Sequence, residues 1–293
     1  MKEAGPRWLE LAARCPTDPD AAALVVEALL SLGGRAAEER EGWILTHVLA
    51  PGGPAEAAER VRARVREVAG LEGVEVRSRW REHEEWSETW KRGLGPRRIT
   101  ERILVRPSWT PAPDAPPQAT IVLDPGMAFG TAEHGTTRGC LRLLDETLGV
   151  GDSVLDVGAG SGILAVAAAL LGARACVAVE ADPLSFETLL ENVERNGVGD
   201  RVRCVRARVD AEDILRLGPV SGVVANIETG VLRPLLAGFA GALLPGGWLI
   251  LSGILDAEWS SLRSAAEAEG LRFARLDEDG EWRSASFVAE GGG

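Results

Sequence analysis

The sequence predicts an α/β chain in which a doubly wound parallel sheet follows a smaller α+β unit. Three observations carry this. From Asp124 onward short apolar strands alternate with helical patterns, which builds a parallel sheet with helices on both faces. Residues 154–162 read as a strand, an aspartate and a glycine-rich turn, leading into the apolar run Ile163–Leu171. The first eighty residues follow a different order, β-α-β-β-α-β.

In that first unit, residues 8–13 are apolar enough for a strand. Asp18 followed by Pro19 is an N-cap with proline at the first helical position. Ala21, Val25, Ala28, Leu29 and Leu32 mark one helical face, which Gly33 and Gly34 stop. A strand over 43–49 follows the turn at Glu41 and Gly42. Pro54 opens a second helix with Ala57, Val61, Val65 and Val68 on one face. Arg60, Arg62, Arg64 and Arg66 lie off that face among glutamates and read as a solvated surface. A strand over 74–79 closes the unit, an order that fits a ferredoxin-like domain. The expected domain spans residues 1–81.

Residues 82–118 read as a linker: a tryptophan-rich helical piece around Trp86 and Trp90, an extended stretch over 99–105, and a segment over 107–118 that holds five prolines and is therefore stiff and extended. Residues 119–293 form the second domain. Its expected strands are 120–123, 154–157, 176–179, 202–207, 222–226 and 248–251, then 272–276 and 284–289 joined by a turn at Asp279 and Gly280. Gly291, Gly292 and Gly293 read as a flexible tail.

The chain has 293 residues, 45% hydrophobic and 26% charged, normal for a globular protein with room for a core. The longest apolar run, 163–173, is broken by Gly172 and too short to span a bilayer. The first residues hold no apolar leader. Cys15, Cys140, Cys176 and Cys204 form no C-x-x-C pair and read as small buried residues in a reducing compartment. His47, His83 and His134 are scattered, so no metal site is expected. The net charge of −12 disfavours bare nucleic acid and suits a basic protein partner. The chain reads as cytoplasmic, without membrane contact.

The turn after residue 157 belongs to a nucleotide site. Its glycines allow close approach of ligand and backbone, and Glu180, ending the second strand, can accept both hydroxyls of a ribose. The third small residue of a dinucleotide fingerprint is replaced by Ile163, and Asp156 stands where it would repel a pyrophosphate. An amino group and a sulfonium would be welcome there instead. Asp182 reads first as a helix N-cap. Asp210 is either an adenine contact or a solvated loop acid. Asn226 ends the fourth strand at the sheet's rim, where such folds bind ligands. In the loop 124–137, Thr136 or Thr137 caps the next helix, or the loop closes over the ligand; His134 is either a proton acceptor or a packing residue.

The glycine turn resembles the first motif of class I methyltransferases that use S-adenosylmethionine, a Rossmann-like fold. The loop from Asp124 to Thr137, together with Trp86-Ser87-Glu88-Thr89-Trp90-Lys91, 104–109, 224–227, 251–255 and Gly280-Glu281-Trp282, resembles the ribosomal protein L11 methyltransferase family (PrmA). That resemblance implies a ferredoxin-like substrate-recognition domain joined to a methyltransferase domain, and methylation of α- and ε-amino groups of L11. It carries cofactor contacts onto Thr137, Gly158, Glu180 and Asn226, beside Asp156 and Gly160 from the turn itself, with Asn226 orienting the amine. Gly135 departs from a proline found in many members, and Glu180 from an aspartate. A related methyltransferase acting on another protein lysine or a small molecule, a nicotinamide-dependent dehydrogenase, and a non-catalytic adapter are the alternatives.

Overall fold

A computed structural model describes residues 8–14, 16, 18–30, 32, 37–40, 42–49, 54–69, 74–81, 95–124 and 129–290. The chain divides into two compact units, Met1–Leu94 and Gly95–Gly293. The expected linker helix around Trp86 and Trp90, the cysteine at position 15 and the glycine tail lie outside the described residues.

In the first unit, β1 (Trp8–Arg14), α1 (Pro19–Leu30), β2 (Ala37–Arg40), β3 (Trp43–Leu49), α2 (Pro54–Ala69) and β4 (Val76–Arg81) follow one another. The sheet is antiparallel, in the order β2-β3-β1-β4. Leu9, Leu11 and Ala13 share one face of the central β1, as the two-residue period of a strand requires. They pack with Val25, Ala28 and Leu29 of α1 and Ala57, Val61 and Val65 of α2. Arg62 pairs with Glu59, and Arg64 with Glu67, each three residues away on the helix. Arg62 and Arg64 are thus engaged with glutamates of their own helix.

The second unit opens with a small sheet. Here β5 (Arg97–Arg98) runs antiparallel to β6 (Ile103–Arg106), which runs parallel to β7 (Ala119–Val122). The extended stretch expected over 99–105 is interrupted. The Thr100 hydroxyl accepts from the backbone N–H groups of Arg102 and Ile103, at 3.2 and 3.1 Å, and turns the chain back, so the strand starts at Ile103. The proline-rich segment is the crossover between two parallel strands. Prolines, lacking an N–H, suit a path that joins no ladder. The boundary expected after residue 118 therefore falls earlier, between Leu94 and Gly95.

The main sheet follows: α3 (Gly135–Thr147), β8 (Ser153–Val157), α4 (Ile163–Leu171), β9 (Ala175–Glu180), α5 (Pro183–Arg195), β10 (Val202–Arg206), α6 (Ala211–Leu217), β11 (Val220–Asn226), α7 (Thr229–Leu232), α8 (Leu236–Ala242), β12 (Leu243–Leu255), α9 (Asp256–Ala268), β13 (Leu271–Asp279) and β14 (Trp282–Ala289). Strand order is β10-β9-β8-β11-β12-β14-β13. The first five strands are parallel, and β14 enters antiparallel between β12 and β13. Strand β12 is longer than expected, since its first residue pairs with Val220 before the turn at Gly246. Helix α4 is apolar on every side, and all of it except Leu170 is buried, between β7 and the main sheet. Its two ends are glycines at φ 79° and 116°, conformations that L side chains avoid. The carboxyl ends of β8, β9 and β11 meet where the strand order reverses, which is where doubly wound sheets bind ligands. No helix among the described residues is long and apolar enough to cross a membrane.

Candidate active site

The turn after β8 is built by three glycines with positive φ: Gly158 at 73°, Gly160 at 54° and Gly162 at 79°. A Cβ on Gly158 would stand 2.4 Å from Ile227 Cγ2, and one on Gly160 2.5 Å from the Phe129 carbonyl oxygen. Both strain and space therefore demand glycine. The N–H groups of Gly158 and Ala159 donate to the Val179 carbonyl at 2.9 and 3.0 Å, extending the β8–β9 ladder into the turn. Ser161 fastens the other side. Its N–H donates to Phe129 O at 2.9 Å and its hydroxyl to Gly130 O at 2.6 Å. The loop ahead of α3 is thereby docked on the glycine turn, although Pro125 to Ala128 lie outside the described residues.

These elements enclose a cavity of about 840 Å³ lined by Gly158, Gly160, Glu180, Asn226, His134 and Trp282, among others. Its ionic lining is three carboxylates, Glu180, Asp182 and Glu228, against one guanidinium, Arg208. Such a wall suits a cationic nucleoside better than a pyrophosphate. Glu180 is already engaged: Oε2 accepts from Gly160 N at 2.7 Å, and Oε1 from Ala181 N and Asp182 N at 2.8 Å. A carboxylate has roughly four acceptor positions, so a ribose would share this group with the turn rather than find it free.

Asp156 does not line the cavity. It is fully buried behind the turn, and its Oδ2 accepts from Ala165 N at 3.0 Å in the first turn of α4. Its Oδ1 has no hydrogen-bond partner among the described residues. Burial, with Glu180 nearby, pushes its pKa up to about 7. Asp156 thus supports the turn from below, since β8 sends alternate side chains to opposite faces of the sheet. Thr137 is also buried and off the cavity surface. Its hydroxyl lies 3.5 Å from Asn226 Nδ2, which leaves Asn226 Oδ1 buried and without a partner among the described residues. Among the described residues that line the cavity, it is the one buried side-chain nitrogen or oxygen without a hydrogen-bond partner.

Asp182 caps α5, accepting from Ser185 N at 2.8 Å, and also lines the cavity. Asp210 is committed to a reciprocal capping box with Asp213 at the start of α6 and lies off the cavity; Arg208 and Val209 stand there instead. The cap of α3 is neither Thr136 nor Thr137 but His134, whose Nδ1 lies 2.8 Å from Thr136 Oγ1 and accepts from Thr136 N. Its ring sits between Phe129 and Trp282, with centroid separations of 5.1 and 5.0 Å. Phe129 remains 55% exposed at the mouth. Trp282 was visible in the sequence only within a matching segment, because its role depends on a hairpin that returns to the site from the far edge of the sheet.

The family described as ribosomal protein L11 methyltransferase (PrmA) matches residues 32–290. A ribosomal protein L11 methyltransferase of Pelotomaculum thermopropionicum is 43% identical over 211 residues, covering 71% of this chain and 66% of its own. One of Symbiobacterium thermophilum is 36% identical over 286 residues, covering 88% and 91%. The crystal structure of a ribosomal protein L11 methylase from Lactobacillus delbrueckii subsp. bulgaricus superimposes with a TM-score of 0.61 at 28% identity, over 67% of this chain and all of that one. With a match running through both compact units and most of its length, the chain belongs to the ribosomal protein L11 methyltransferase (PrmA) family.

Proposed function

We propose that this protein transfers methyl groups from S-adenosylmethionine to amino groups of ribosomal protein L11, in the cytoplasm. The observation that carries the reading is the unpartnered Asn226 Oδ1, set in an acid-lined, glycine-walled cavity of a chain that belongs to this family. The cofactor, when bound, supplies a methyl group on a sulfonium. Gly158 and Gly160 leave room for the nucleoside against the backbone, and Glu180 takes its ribose. An attacking amine must be neutral, yet only about one lysine in a few thousand is so at pH 7. Asn226 Oδ1 accepts an amine N–H and aims the lone pair along the displacement line. Thr137 holds the amide from behind. Phe129, His134 and Trp282 exclude water, flank the substrate's alkyl stem and face the positive charge left on nitrogen. The bound cofactor would leave as a neutral thioether once its methyl group is on the substrate nitrogen, and the resulting ammonium would lose its proton to solvent. The first compact unit recognises the protein substrate.

The test is transfer of labelled methyl from S-adenosylmethionine to dissociated ribosomal proteins. L11 should be the labelled band. Asn226→Ala should lower turnover at saturating cofactor by about 10²-fold, the scale of a lost orienting contact, while the melting temperature barely moves. Near-normal turnover would remove Asn226 from the mechanism; label on a different protein would redirect the substrate assignment.

A further inference from the structure

Helix α3 and the β13–β14 hairpin are joined by a set of ion pairs. Arg138 Nε and Nη2 grip Asp279 at 3.0 and 2.7 Å. One helical turn on, Arg142 Nε and Nη2 grip Asp277 at 2.7 and 2.6 Å. Both contacts are bidentate, the geometry in which a guanidinium best fixes a carboxylate. The pairs are only about a quarter exposed, and the Arg138 guanidinium holds the Asp279 carboxyl below its usual range.

Arg142 Nη2 also reaches Asp279 Oδ2 at 3.2 Å, but the two arginines differ in what else they hold. Asp279 is the last residue of β13 and the register partner of Trp282, across the two-residue turn Gly280-Glu281. Arg138 N donates to His134 O at 3.2 Å, and Arg138 Nη1 donates to the carbonyls of Ala132 and Glu133. One guanidinium therefore binds both the residue opposite Trp282 and the backbone that carries His134. Gly135 lets these pieces close, since a Cβ there would already stand 3.1 Å from Asp279. Asp277 sits two residues further from the turn, opposite Ser284.

We infer that Arg138 and Asp279 are positioning residues, which set the Trp282 and His134 rings against each other as the aromatic wall of the cavity. The inference about the wall stands on this geometry; its effect on turnover rests on the function proposed above.

The full-length chain is labelled with 5-fluorotryptophan, and the Trp282 signal among the nine tryptophans is identified by Trp282→Phe. In ligand-free protein the signal should shift or broaden in Arg138→Ala and in Asp279→Ala, and the double variant should look like Asp279→Ala, because Arg142 still reaches Asp279 when Arg138 is gone. Asp277→Ala, which loosens the same helix and hairpin one turn away, should leave it in place. Turnover should fall about tenfold in the Arg138 and Asp279 variants and less than twofold in Asp277→Ala, with S-adenosylmethionine affinity unchanged within threefold by calorimetry. Should Asp279→Ala fail to fold, Asp279→Asn, which keeps the shape and one acceptor, replaces it. A Trp282 signal unmoved by the Asp279 variant, one moved equally by Asp277→Ala, or one that moves while turnover holds would each overturn the inference. A parent chain that methylates nothing would count against the proposed function, and the fluorine signal would still decide the position of the wall.

Discussion

Asp156 illustrates how one buried carboxyl shapes the response of the whole protein to pH. Its unfolded-state pKa is near 4, and its native value is about 7 because burial disfavours the charge. Below pH 4 both states carry the proton and nothing is lost. Between 4 and 7 the unfolded chain releases the proton more readily, so native stability falls as pH rises; above 7 the deficit is constant. The span corresponds to something on the order of 4 kcal/mol. Asp156→Asn cannot ionise, so melting of ligand-free protein should show the wild type losing ground to the variant from pH 5 to 7.5. Parallel curves for the two would mean that Asp156 is ionised throughout. At this scale the sequence was legible where a residue's placement follows from its position in the chain. Glu180 at a strand end in the cavity wall, the helix cap at Asp182 before a proline and the glycines of the turn could be placed directly. Asp156 and Asp210 could not, because the face on which a side chain emerges depends on the sheet's pleat and on which partner claims it.

Helix α3 owes its position to a glycine that is unusual inside a helix. Replacing such a glycine with alanine normally stabilises by about 1 kcal/mol. At Gly139, however, a Cβ would lie 2.3 Å from Ser284 Oγ and 2.8 Å from Ser284 Cβ. The serine has no retreat, since it is buried and its hydroxyl bonds Ser252 Oγ at 2.6 Å. Overpacking of this kind costs about 1–3 kcal/mol, which outweighs the propensity gain. Gly139→Ala should therefore lower the melting temperature by about 2–4 °C, and less in a Ser284→Ala background, where the nearest atom is gone. A rise would show that the helix can shift outward freely. Among the elements, the strands and helices of the main sheet were legible because alternating apolar runs and capping residues mark each one locally. The break at Thr100 and the length of β12 were not, since a hydroxyl turning the chain back, or a strand resuming pairing before its turn, leaves no trace in hydrophobic periodicity.

The whole molecule is two units, and the sequence drew their border at a composition change rather than at a change in pairing partners. The proline-rich stretch looks like a tether but closes the β6–β7 crossover of the second unit. A chain beginning at residue 119 would lose two strands of that small sheet, and one beginning at 74 would carry β4 away from its own sheet. A chain beginning at Gly95 respects both. It should fold and bind S-adenosylmethionine with the affinity of the full chain, measured by calorimetry, while methylating L11 at least tenfold more slowly, the effect of removing a recognition surface worth a modest 1.4 kcal/mol. Undiminished methylation would place recognition in the second unit instead.

The paired arginines of α3 carry a constraint on how this protein can change over time. Four helical residues advance about 6 Å, and two strand residues advance about 6.6 Å, so Arg138 and Arg142 fall in step with Asp279 and Asp277 along the hairpin. The match holds for these spacings alone. One residue added to or removed from the helix between the arginines would swing the second through about 100°, and one added between the aspartates would send the second to the opposite face of the strand. Substitutions can accumulate on both elements, but insertions and deletions there cannot, so descendants of this chain should differ in length almost everywhere before they differ in length here.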